Sequence, residues 1–591
     1  MQSAETVLGV LRERGRRDLP CDELYRQLFN PQLYLLAYGR IYANKGAMTA
    51  GVTEETADGM SMRKIGRIID AMRHERYRFH PVKRIYIPKK NGRKRPLGLP
   101  TWSDKLVGEV VRLLLESYYE PRFSGRSHGF RPGRGCHTAL TEVAETWTGT
   151  TWFIEADISD CFGALDHDVM LGTLAERIHD NRFLTLVSNM LSAGYLEDWV
   201  YGLTLSGTPQ GGVASPILSN IYLHKLDQFV EQVLIPENTR GERRSSHPEY
   251  RRLTNRIRRG RSHGDRTTVR AATTARRLLP SGDPQDPSYR RLRYIRYADD
   301  HLLGFTGPRA EAENIKQRLT RFLRDELKLE LSQEKTLLTH ARSQAARFLG
   351  YDVSAYHGHT KLSRGRRLTG GFIQLKVPRA VIKAKTTQYF RCGKPAHRRE
   401  LVNHDDHTII ATYGTEYRGL VQYYLLAGNV YRFNRVEWAM SSSMLKTLAA
   451  KHHSSVVKMA ARHRAHINTP RGRRTCYEAQ AHRPGRTPLV ARFGGIPLTR
   501  QRTAVLHDRQ PVRVGHPHKE IISRLQRATC ELCGSRDDIE VHQVRGLAEL
   551  TRAEPGSAWA AIMTRKRRKT LVVCRVCHER IHQNTPPPLT P

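Results

Sequence analysis

The chain has 591 residues, 39% of them hydrophobic, and its 98 Lys and Arg against 57 Asp and Glu give a formal net charge of +41. This length excludes a single hydrophobic core, so several domains are expected. The charge predicts a polyanionic partner, and nucleic acid is favoured over an anionic membrane because no sustained basic helix with an aromatic face is found in the sequence. No apolar run is long enough to span a bilayer, and the first 20 residues lack the apolar core of a secretory signal, which predicts a cytoplasmic protein.

The first part of the chain mixes helical periodicity with a basic turn. Residues 25–44 repeat apolar side chains at helical spacing, and residues 82–100 predict two strands around a basic, glycine-containing turn. Residues 104–123 predict a further helix, with Asp104 as its N-cap.

Two acidic motifs follow apolar strands in the middle of the chain. Residues 152–162 are strand-like, and Asp157 comes directly after the strand residues Trp152, Phe153 and Ile154. YIRYADDHLLGF (294–305) predicts a hairpin with Asp299 and Asp300 at its turn. Adjacent carboxylates repel one another unless a proton or a cation neutralises them. Paired Asp residues are also common in surface turns, but their combination with Asp157 favours a site for magnesium or manganese.

Composition and periodicity describe the second half of the chain. Residues 240–277 contain thirteen Arg, no Lys and three acidic residues, which favours an insertion that is disordered when free. After about residue 375 the pattern becomes helical. Residues 469–518 are rich in Pro, Gly and Arg and are predicted to form a linker or an extended basic arm.

One predicted helix in this half, residues 438–449, has an apolar face. That face is predicted to contain Trp438, Leu445, Leu448 and Ala449. The cationic residues of the same region are Lys446, Lys451, His452 and His453. They are expected to face a nucleic-acid duplex or folded RNA, and a helical domain with solvated charges is the alternative that periodicity leaves open.

A cysteine and histidine pattern ends the chain. The nine cysteines, an odd number, argue against a disulfide framework, and four of them form two Cys-x-x-Cys pairs. The pairs are Cys530 with Cys533 and Cys574 with Cys577. In a reducing cytoplasm this pattern predicts a tetrahedral structural zinc site. His578 and His582 lie one helical turn apart and share a face, so they can bind one cation.

The ordered set of motifs resembles the reverse transcriptases encoded by bacterial group II introns. Tyr297-Ala298-Asp299-Asp300 matches the signature tetrapeptide of that family. The other matching blocks are RPLGLPTWSDKLV (95–107), SHGFRPGRGCHTAL (127–140), FIEADISDCF (153–162), GTPQGGVASPILSNIYL (207–223) and RFLGYDV (347–353). NKGAMTAGV (44–52) resembles the N-terminal extension of these proteins, and EYRGLVQYYLLAGNV (416–430) with LKTLAAKHHSS (445–455) resembles their maturase, or X, domain.

This resemblance implies roles for single residues of a polymerase. Asp157, Asp299 and Asp300 would bind two Mg²⁺ or Mn²⁺ ions at the catalytic site. Phe162 matches the family's aromatic gate, which favours deoxynucleotides, although a Phe beside a strand also fits a core position. Lys89 and Arg95 match residues that contact the incoming triphosphate, and Gln210 matches the nucleotide-contacting Gln of a glycine-rich loop. A solvated basic turn and a plain glycine-rich turn are the alternatives for these three.

The C-terminal region resembles an HNH nuclease with a four-cysteine zinc frame. The resemblance implies that the four cysteines above bind structural zinc and that His542, His578 and His582 bind a catalytic divalent metal. The family has a second consecutive histidine as general base, whereas this chain has Gln543 in that place. Because glutamine does not accept a proton near neutral pH, we expect a module that keeps its fold and DNA affinity but cuts poorly, or borrows another base.

These features predict a multidomain α+β protein. The expected architecture is a right-hand polymerase (fingers and palm), a helical thumb or X domain, and a small zinc-containing HNH module of the ββα-metal type. The expected boundaries are 1–80 for the N-terminal extension and the start of the fingers, 81–365 for fingers and palm with a basic insertion at 236–292, 366–470 for the thumb and maturase domain, 471–525 for a basic linker or DNA-binding region, and 526–591 for the HNH-like domain.

The function implied is that of an intron-encoded RNA-directed DNA polymerase, RNA maturase and DNA endonuclease, which assists splicing and mobility by target-primed reverse transcription. The expected partners are intron RNA, target DNA and deoxynucleoside triphosphates. One alternative is a splicing-only RNA-binding maturase with a vestigial polymerase or nuclease, against which the intact acidic triad argues. The other is a reverse transcriptase of a retron or phage-defence lineage, against which the X-like and HNH-like regions argue.

Overall fold

The computed structural model describes most of the chain, namely residues 2–88, 92, 94–197, 200–202, 204, 206–207, 212–283, 286–356, 362–363, 366–367, 371–483, 486–506, 520–552, 557–566 and 568–583. Lys89 and Gln210, two of the implied nucleotide contacts, lie outside the described residues. Within the described part, no helix combines the length and the apolar character needed to cross a membrane.

Helices form a layer at the N-terminal end of the chain. They are Ala4–Arg16, Pro31–Ile41, Met62–Arg73 and Trp102–Tyr119. The prediction that Asp104 caps the last of these is wrong, because Thr101 is the N-cap and its hydroxyl oxygen accepts a hydrogen bond from the Asp104 N–H at 3.2 Å. The Asp104 carboxylate instead accepts from the Tyr77 hydroxyl at 2.8 Å, which ties the chain after the third helix to the fourth.

A four-stranded sheet is formed by strands from two parts of the chain. Its strand order is Lys94–Leu99, Val82–Pro88, Tyr195–Glu197 and Val200–Gly202. The first two strands are antiparallel, which confirms the prediction of two strands within residues 82–100.

The central sheet is antiparallel throughout. Its strand order is Arg291–Tyr297, Asp300–Thr306, Trp152–Ala156 and Leu337–His340. Side chains alternate between two hydrophobic cores: Ile154 and Leu303 belong to one, Phe153 and Leu302 to the other. Helices around this sheet are Cys136–Thr146, His167–Ala175, Asn181–Leu191, Ser215–Phe229 and Arg309–Leu327. Both faces of the sheet are therefore covered by hydrophobic cores.

A buried ion pair supports the hairpin of the central sheet. The side chains of Arg296 and Asp227 are both 0% exposed, and the guanidinium donates to the carboxylate from Nε at 2.8 Å and from Nη2 at 2.6 Å. Nη1 of Arg296 donates to the Ala298 carbonyl at 2.9 Å and to Asn220 Oδ1 at 3.1 Å. The Tyr294 hydroxyl also donates to Asp227, at 2.8 Å. The turn after Tyr297 is thus anchored to the helix Ser215–Phe229.

The arginine-rich insertion is folded, so the expectation of disorder is wrong. It forms two helices, Pro248–Ser262 and Arg266–Arg276, that contact each other. Asp265 caps the second helix by accepting hydrogen bonds from the N–H groups of Thr267 and Thr268. At Gly260 an added Cβ would lie 2.9 Å from Val269 Cγ2, so the two helices approach closely at this glycine.

The second half contains helices and two further sheets. Its helices are Arg379–Thr387, Asp406–Tyr423, Asn434–Lys451 and Val456–His463. Its two three-stranded antiparallel sheets are Ala346–Phe348, Tyr351–Ala355 and Ile373–Lys376, and Arg464–Thr469, Gly472–Arg483 and Arg486–Gly494. The prediction of a linker or extended arm from residue 469 is therefore wrong for residues 472–483 and 486–494. These strands pack on the helix Asp406–Tyr423, since Phe493 is buried against Tyr417 with ring centroids 5.4 Å apart.

The helix Asn434–Lys451 differs in two ways from its sequence-based description. Leu445, Leu448 and Ala449 are buried as predicted, but Trp438 is 55% exposed. Two of the cationic residues predicted to face nucleic acid contact an intramolecular partner instead. Lys451 and His452 lie 2.6 and 2.8 Å from the Asp406 carboxylate. Helical periodicity cannot detect such a partner, because Asp406 lies 45 residues from Lys451.

The C-terminal module docks on the N-terminal layer. It contains helix Glu520–Gln526, strand Ile539–Gln543, helix Ala558–Lys566, strand Thr570–Cys574 and helix Arg575–His582. The short strand Met60–Ser61 pairs with Ile539–Gln543 and extends the two-stranded sheet of the module to three strands. The module and the N-terminal layer therefore share one sheet.

We predict that Asp227→Ala destabilises the protein by about 3–5 kcal/mol, because it leaves the buried Arg296 charge without its partner. Thermal unfolding monitored by fluorescence measures this as a lower melting temperature. The double variant Asp227→Leu/Arg296→Met removes both charges and is expected to melt above the single variant. Asp325→Ala, which removes an exposed partner of Arg324, is the control and is expected to melt like the wild type. An unchanged melting temperature for Asp227→Ala contradicts the prediction.

Candidate functional site

The hairpin turn between the two central strands has an unusual backbone. Tyr297 pairs with Asp300, so Ala298 and Asp299 form a two-residue turn, and Ala298 has φ +56°. A non-glycine residue in this left-handed region costs about 1–2 kcal/mol, so the surroundings must hold it there. Arg296 does so through the Ala298 carbonyl, and Gly129 lies directly against the turn, where an added Cβ would be 2.3 Å from the Ala298 nitrogen.

The structure brings the three predicted aspartates together at this turn. Ala156 pairs with His301, which places Asp157 beside Asp300. Burial, followed by the charges of Asp299 and Asp157 and a hydrogen bond with Asp157, raises the pKa of Asp300 to about 7. Burial and the Asp157 charge also raise the pKa of Asp299. Three mutually repelling carboxylates thus share one end of the central sheet.

A lysine that the sequence analysis missed completes this group. Lys335 Nζ lies 2.5 Å from Asp157 Oδ2, and its side chain is 67% exposed. The backbone places it there, because Ser332 N–H donates to the Asp157 carbonyl at 2.9 Å. Lys335 lies 178 residues beyond Asp157, in a stretch with no local signal that relates it to the acidic turn.

The three carboxylates suit hard divalent cations. Carboxylate oxygens are ligands that Mg²⁺ and Mn²⁺ prefer. Two other groups of metal-type ligands converge within 4.8 Å among the described residues, and both include side chains of the C-terminal module. The three aspartates are spread more widely than either group.

Two of the implied nucleotide contacts lie in the described residues. Phe162 is half-buried and packs edge-on against Phe130, with ring centroids 6.3 Å apart. Gly207, at the start of the glycine-rich loop, lies against the Phe162 backbone, where an added Cβ would be 2.6 Å from the carbonyl oxygen. Arg95 is exposed on the strand Lys94–Leu99, and its charge opposes the rise in the pKa of Asp299.

The four cysteines converge as predicted. Their Sγ atoms all lie within 4.8 Å of one another, and Cys533 Sγ is 3.7 Å from Cys574 Sγ. Sulfur atoms bound to one tetrahedral zinc at about 2.3 Å are separated by about 3.8 Å. The set of four thiols therefore fits zinc.

The three histidines of the module also converge, together with a residue that the sequence analysis missed. His542 lies on the strand Ile539–Gln543, and His578 and His582 lie on the last helix. The fourth member is Asp58, from the N-terminal layer, and one ligand atom from each of the four lies within 4.8 Å of the others. Asp58 is 484 residues before His542 in the chain, so no local spacing points to it.

Gln543 has a structural role at this cluster. It is buried, and its side-chain Nε2 donates a hydrogen bond to the Tyr42 carbonyl at 2.8 Å. Its backbone N–H donates to Asp58 Oδ1 at 2.6 Å. The residue in the general-base position of the motif therefore anchors the module to the N-terminal layer.

Three family models match successive parts of the chain. Residues 87–353 match a model described as reverse transcriptase (RNA-dependent DNA polymerase). Residues 372–470 match type II intron maturase, and residues 530–578 match an AI2M/AI1M-like HNH endonuclease. The three lie in the chain in the order polymerase, maturase, endonuclease.

Curated relatives match over almost the full chain. The group II intron-encoded protein LtrA of Lactococcus lactis subsp. cremoris is 37% identical, and the match covers 94% of this chain and 95% of that protein. An uncharacterized 91 kDa protein in the cob intron of Schizosaccharomyces pombe is 32% identical over 95% of this chain and 70% of its own length. The putative COX1/OXI3 intron 1 protein of Saccharomyces cerevisiae is 31% identical, with 94% and 68% covered.

We predict that Cys533→Ser lowers the zinc content of the purified protein by one equivalent, because a tetrahedral thiolate site loses one of its four ligands. Inductively coupled plasma mass spectrometry measures the content. The exposed Cys392 lies outside the cluster, and Cys392→Ser is the control that keeps the wild-type content. Equal zinc in the Cys533→Ser variant and the wild type refutes the assignment.

Proposed function

The chain belongs to the group II intron-encoded reverse transcriptases, and from this membership we propose that it copies intron RNA into DNA from a nicked 3′ end of its target. It is an RNA-directed DNA polymerase and maturase with an HNH endonuclease-like domain. The observation that carries the proposal is the convergence of Asp157, Asp299 and Asp300 at the end of the central sheet. Splicing and mobility of the intron are its proposed biological roles.

We assign Asp157, Asp299 and Asp300 as the ligands of two Mg²⁺ or Mn²⁺ ions. When bound, such ions supply Lewis-acid stabilisation of the reacting oxygens in an in-line phosphoryl transfer. The protein's part is to hold carboxylates that repel one another in a fixed arrangement. Arg296 fixes the turn that presents two of them. Lys335 places a positive charge against the third, Asp157.

The proposed nucleotide contacts are Lys89, Arg95, Phe162 and Gln210. Two observations support Phe162: it follows Asp157 closely in the chain, and its half-buried ring packs against Phe130. A bulky ring beneath the sugar would collide with a ribose 2′-hydroxyl and favour deoxynucleoside triphosphates. Arg95 is supported by its exposed position and by its electrostatic effect on Asp299, since a planar guanidinium suits a triphosphate.

We propose that the insertion helices bind intron RNA. Their exposed arginines are Arg251, Arg252, Arg256, Arg258, Arg259, Arg261, Arg266 and Arg270. A surface with so many guanidinium groups and few acids attracts a phosphate backbone and releases its counterions. Because the helices are already folded, this binding does not require the insertion to order on contact.

We propose that the C-terminal module binds target DNA and a divalent metal but cuts slowly. His542, His578 and His582 are its proposed metal ligands, and Cys530, Cys533, Cys574 and Cys577 its proposed ligands for structural zinc. Gln543 cannot act as a general base, and its amide is occupied by the Tyr42 carbonyl. The module therefore has the metal ligands of a nuclease without the proton acceptor in the usual place.

We predict that Asp299→Asn lowers primer extension on an RNA template by at least about 100-fold, because a carboxylate ligand is lost from the proposed ion site. Binding of the intron RNA and its splicing are expected to be unchanged. Asp168→Asn, an exposed Asp on the helix His167–Ala175, is the matched control and keeps wild-type extension. If the wild type itself makes no DNA, the splicing-only alternative holds instead.

We predict that Gln543→His raises the rate of plasmid nicking by about 100-fold, because a histidine supplies the missing base. The conversion of supercoiled to nicked plasmid in the presence of Mg²⁺, Mn²⁺ or Zn²⁺ measures this. Gln480→His, at an exposed strand position, is the control and leaves the rate unchanged. Robust cleavage by the wild type that Gln543→His does not increase argues against a missing base.

A further inference from the structure

The histidine cluster of the C-terminal module includes a carboxylate from the other end of the chain. Asp58 Oδ1 lies 3.3 Å from His542 Nδ1 and 3.2 Å from His578 Nε2, and Asp58 Oδ2 lies 2.8 Å from His582 Nε2. The two histidines of the helix face each other, with their Nε2 atoms 3.2 Å apart. Four ligand groups thus converge on one small space.

The separations of 3.2 and 3.3 Å are close to those expected around a single tetrahedral ion. Four ligand atoms at about 2.0–2.1 Å from one zinc are separated from each other by about 3.3 Å. Imidazole nitrogens and one carboxylate also form a donor set typical of Zn²⁺ and neighbouring transition metals rather than of Mg²⁺. With four protein ligands, such a site has no open coordination position, unlike the catalytic zinc sites that bind three protein ligands and water.

Two histidines of the cluster are buried, and one of them is oriented in the way that is typical of metal ligands. His542 is 4% exposed, and neither its Nδ1 nor its Nε2 has a hydrogen-bond partner among the described residues. His578 Nδ1 lies 3.0 Å from Glu540 Oε2, which fixes the ring with Nε2 directed at the cluster. A carboxylate that orients the second ring nitrogen is a common feature of metal-bound histidine.

The backbone places Asp58 at the cluster. Gly59 follows it with φ +71°, a conformation that glycine adopts readily, and its N–H donates to the Val541 carbonyl at 2.9 Å. Met60 then pairs with Val541 and Ser61 with Glu540. Val541 and Val572 belong to the same hydrophobic core as the N-terminal helices. The position of Asp58 is therefore set by a shared sheet and a shared core.

We propose that Asp58, His542, His578 and His582 bind one Zn²⁺-like transition-metal ion in a closed four-ligand site that fastens the C-terminal module to the N-terminal layer. The inference rests on the proposed metal binding by the three histidines. It adds Asp58 as the fourth ligand and the attachment of the module to the N-terminal layer. With Asp58 as the fourth ligand, such an ion would offer a DNA phosphate no open tetrahedral position, so docking of the module would disfavour phosphate binding at the ion.

Metal affinity in the full-length protein tests the closed site. The protein is loaded with Zn²⁺ and titrated with a chromophoric chelator, and the retained zinc is counted by mass spectrometry. We expect two tightly held equivalents in the wild type, one of them at the four cysteines. Asp58→Asn is expected to weaken the other equivalent at least 10-fold while the cysteine equivalent, which reports a folded module, is retained.

The matched control breaks a contact across the same interface without removing a ligand. Asp538 Oδ2 lies 2.9 Å from Arg63 Nη1, and Asp538→Asn is expected to keep both zinc equivalents at wild-type affinity. Limited trypsin digestion supplies a second readout. Trypsin is expected to release the C-terminal module faster from Asp58→Asn than from Asp538→Asn. In the wild type, release is expected to be faster after chelation than before it.

The outcomes separate this inference from the proposed function. Unchanged zinc affinity in Asp58→Asn, together with a loss in His578→Ala, overturns the closed site and leaves the histidine site intact. Unchanged affinity in both variants overturns the closed site and the proposed metal binding by the module. Equal weakening in Asp58→Asn and Asp538→Asn assigns the effect to the interface rather than to coordination, and also overturns the proposal.

Discussion

The arrangement of the proposed polymerase site depends on one buried guanidinium. Arg296 is fully enclosed, binds Asp227 through two nitrogens, and uses the third to hold the Ala298 carbonyl of the strained turn. A buried charge of this kind persists only when it is paired and its hydrogen-bond donors are satisfied. The pair therefore works as a rigid support behind the turn, and the direction of Asp299 and Asp300 follows from it.

The same support explains how repelling groups stay together. The raised pKa of Asp300 shows that the folded protein disfavours its charged form, through burial first and then through the neighbouring carboxylates. Without a cation this arrangement opposes folding, and the two hydrophobic cores on the faces of the central sheet must offset it. Because the scaffold rather than their own contacts holds the carboxylates together, they would be preorganised for the proposed divalent ions.

Periodicity and residue spacing predicted those strands, turns and cysteine pairs that are encoded within a short stretch of sequence. The strand before Asp157, the hairpin at Asp299 and the two Cys-x-x-Cys pairs all lie where periodicity and spacing indicated. The features that were missed depend on contacts between distant segments. Asp58 meets His542 because the strand that follows Asp58 pairs with the strand of His542. Lys451 contacts an aspartate on another helix. In the insertion, composition gave no sign of the Asp265 cap or of the close helix approach at Gly260.

The central claim is that three aspartates from separate segments form one divalent-ion site at the end of the central sheet. Anomalous diffraction from crystals of the full-length protein soaked in Mn²⁺ tests it most directly. The account predicts anomalous peaks coordinated by oxygens of Asp157, Asp299 and Asp300, with none there in crystals of Asp299→Asn. Manganese bound elsewhere, with no peak between these carboxylates, would contradict it.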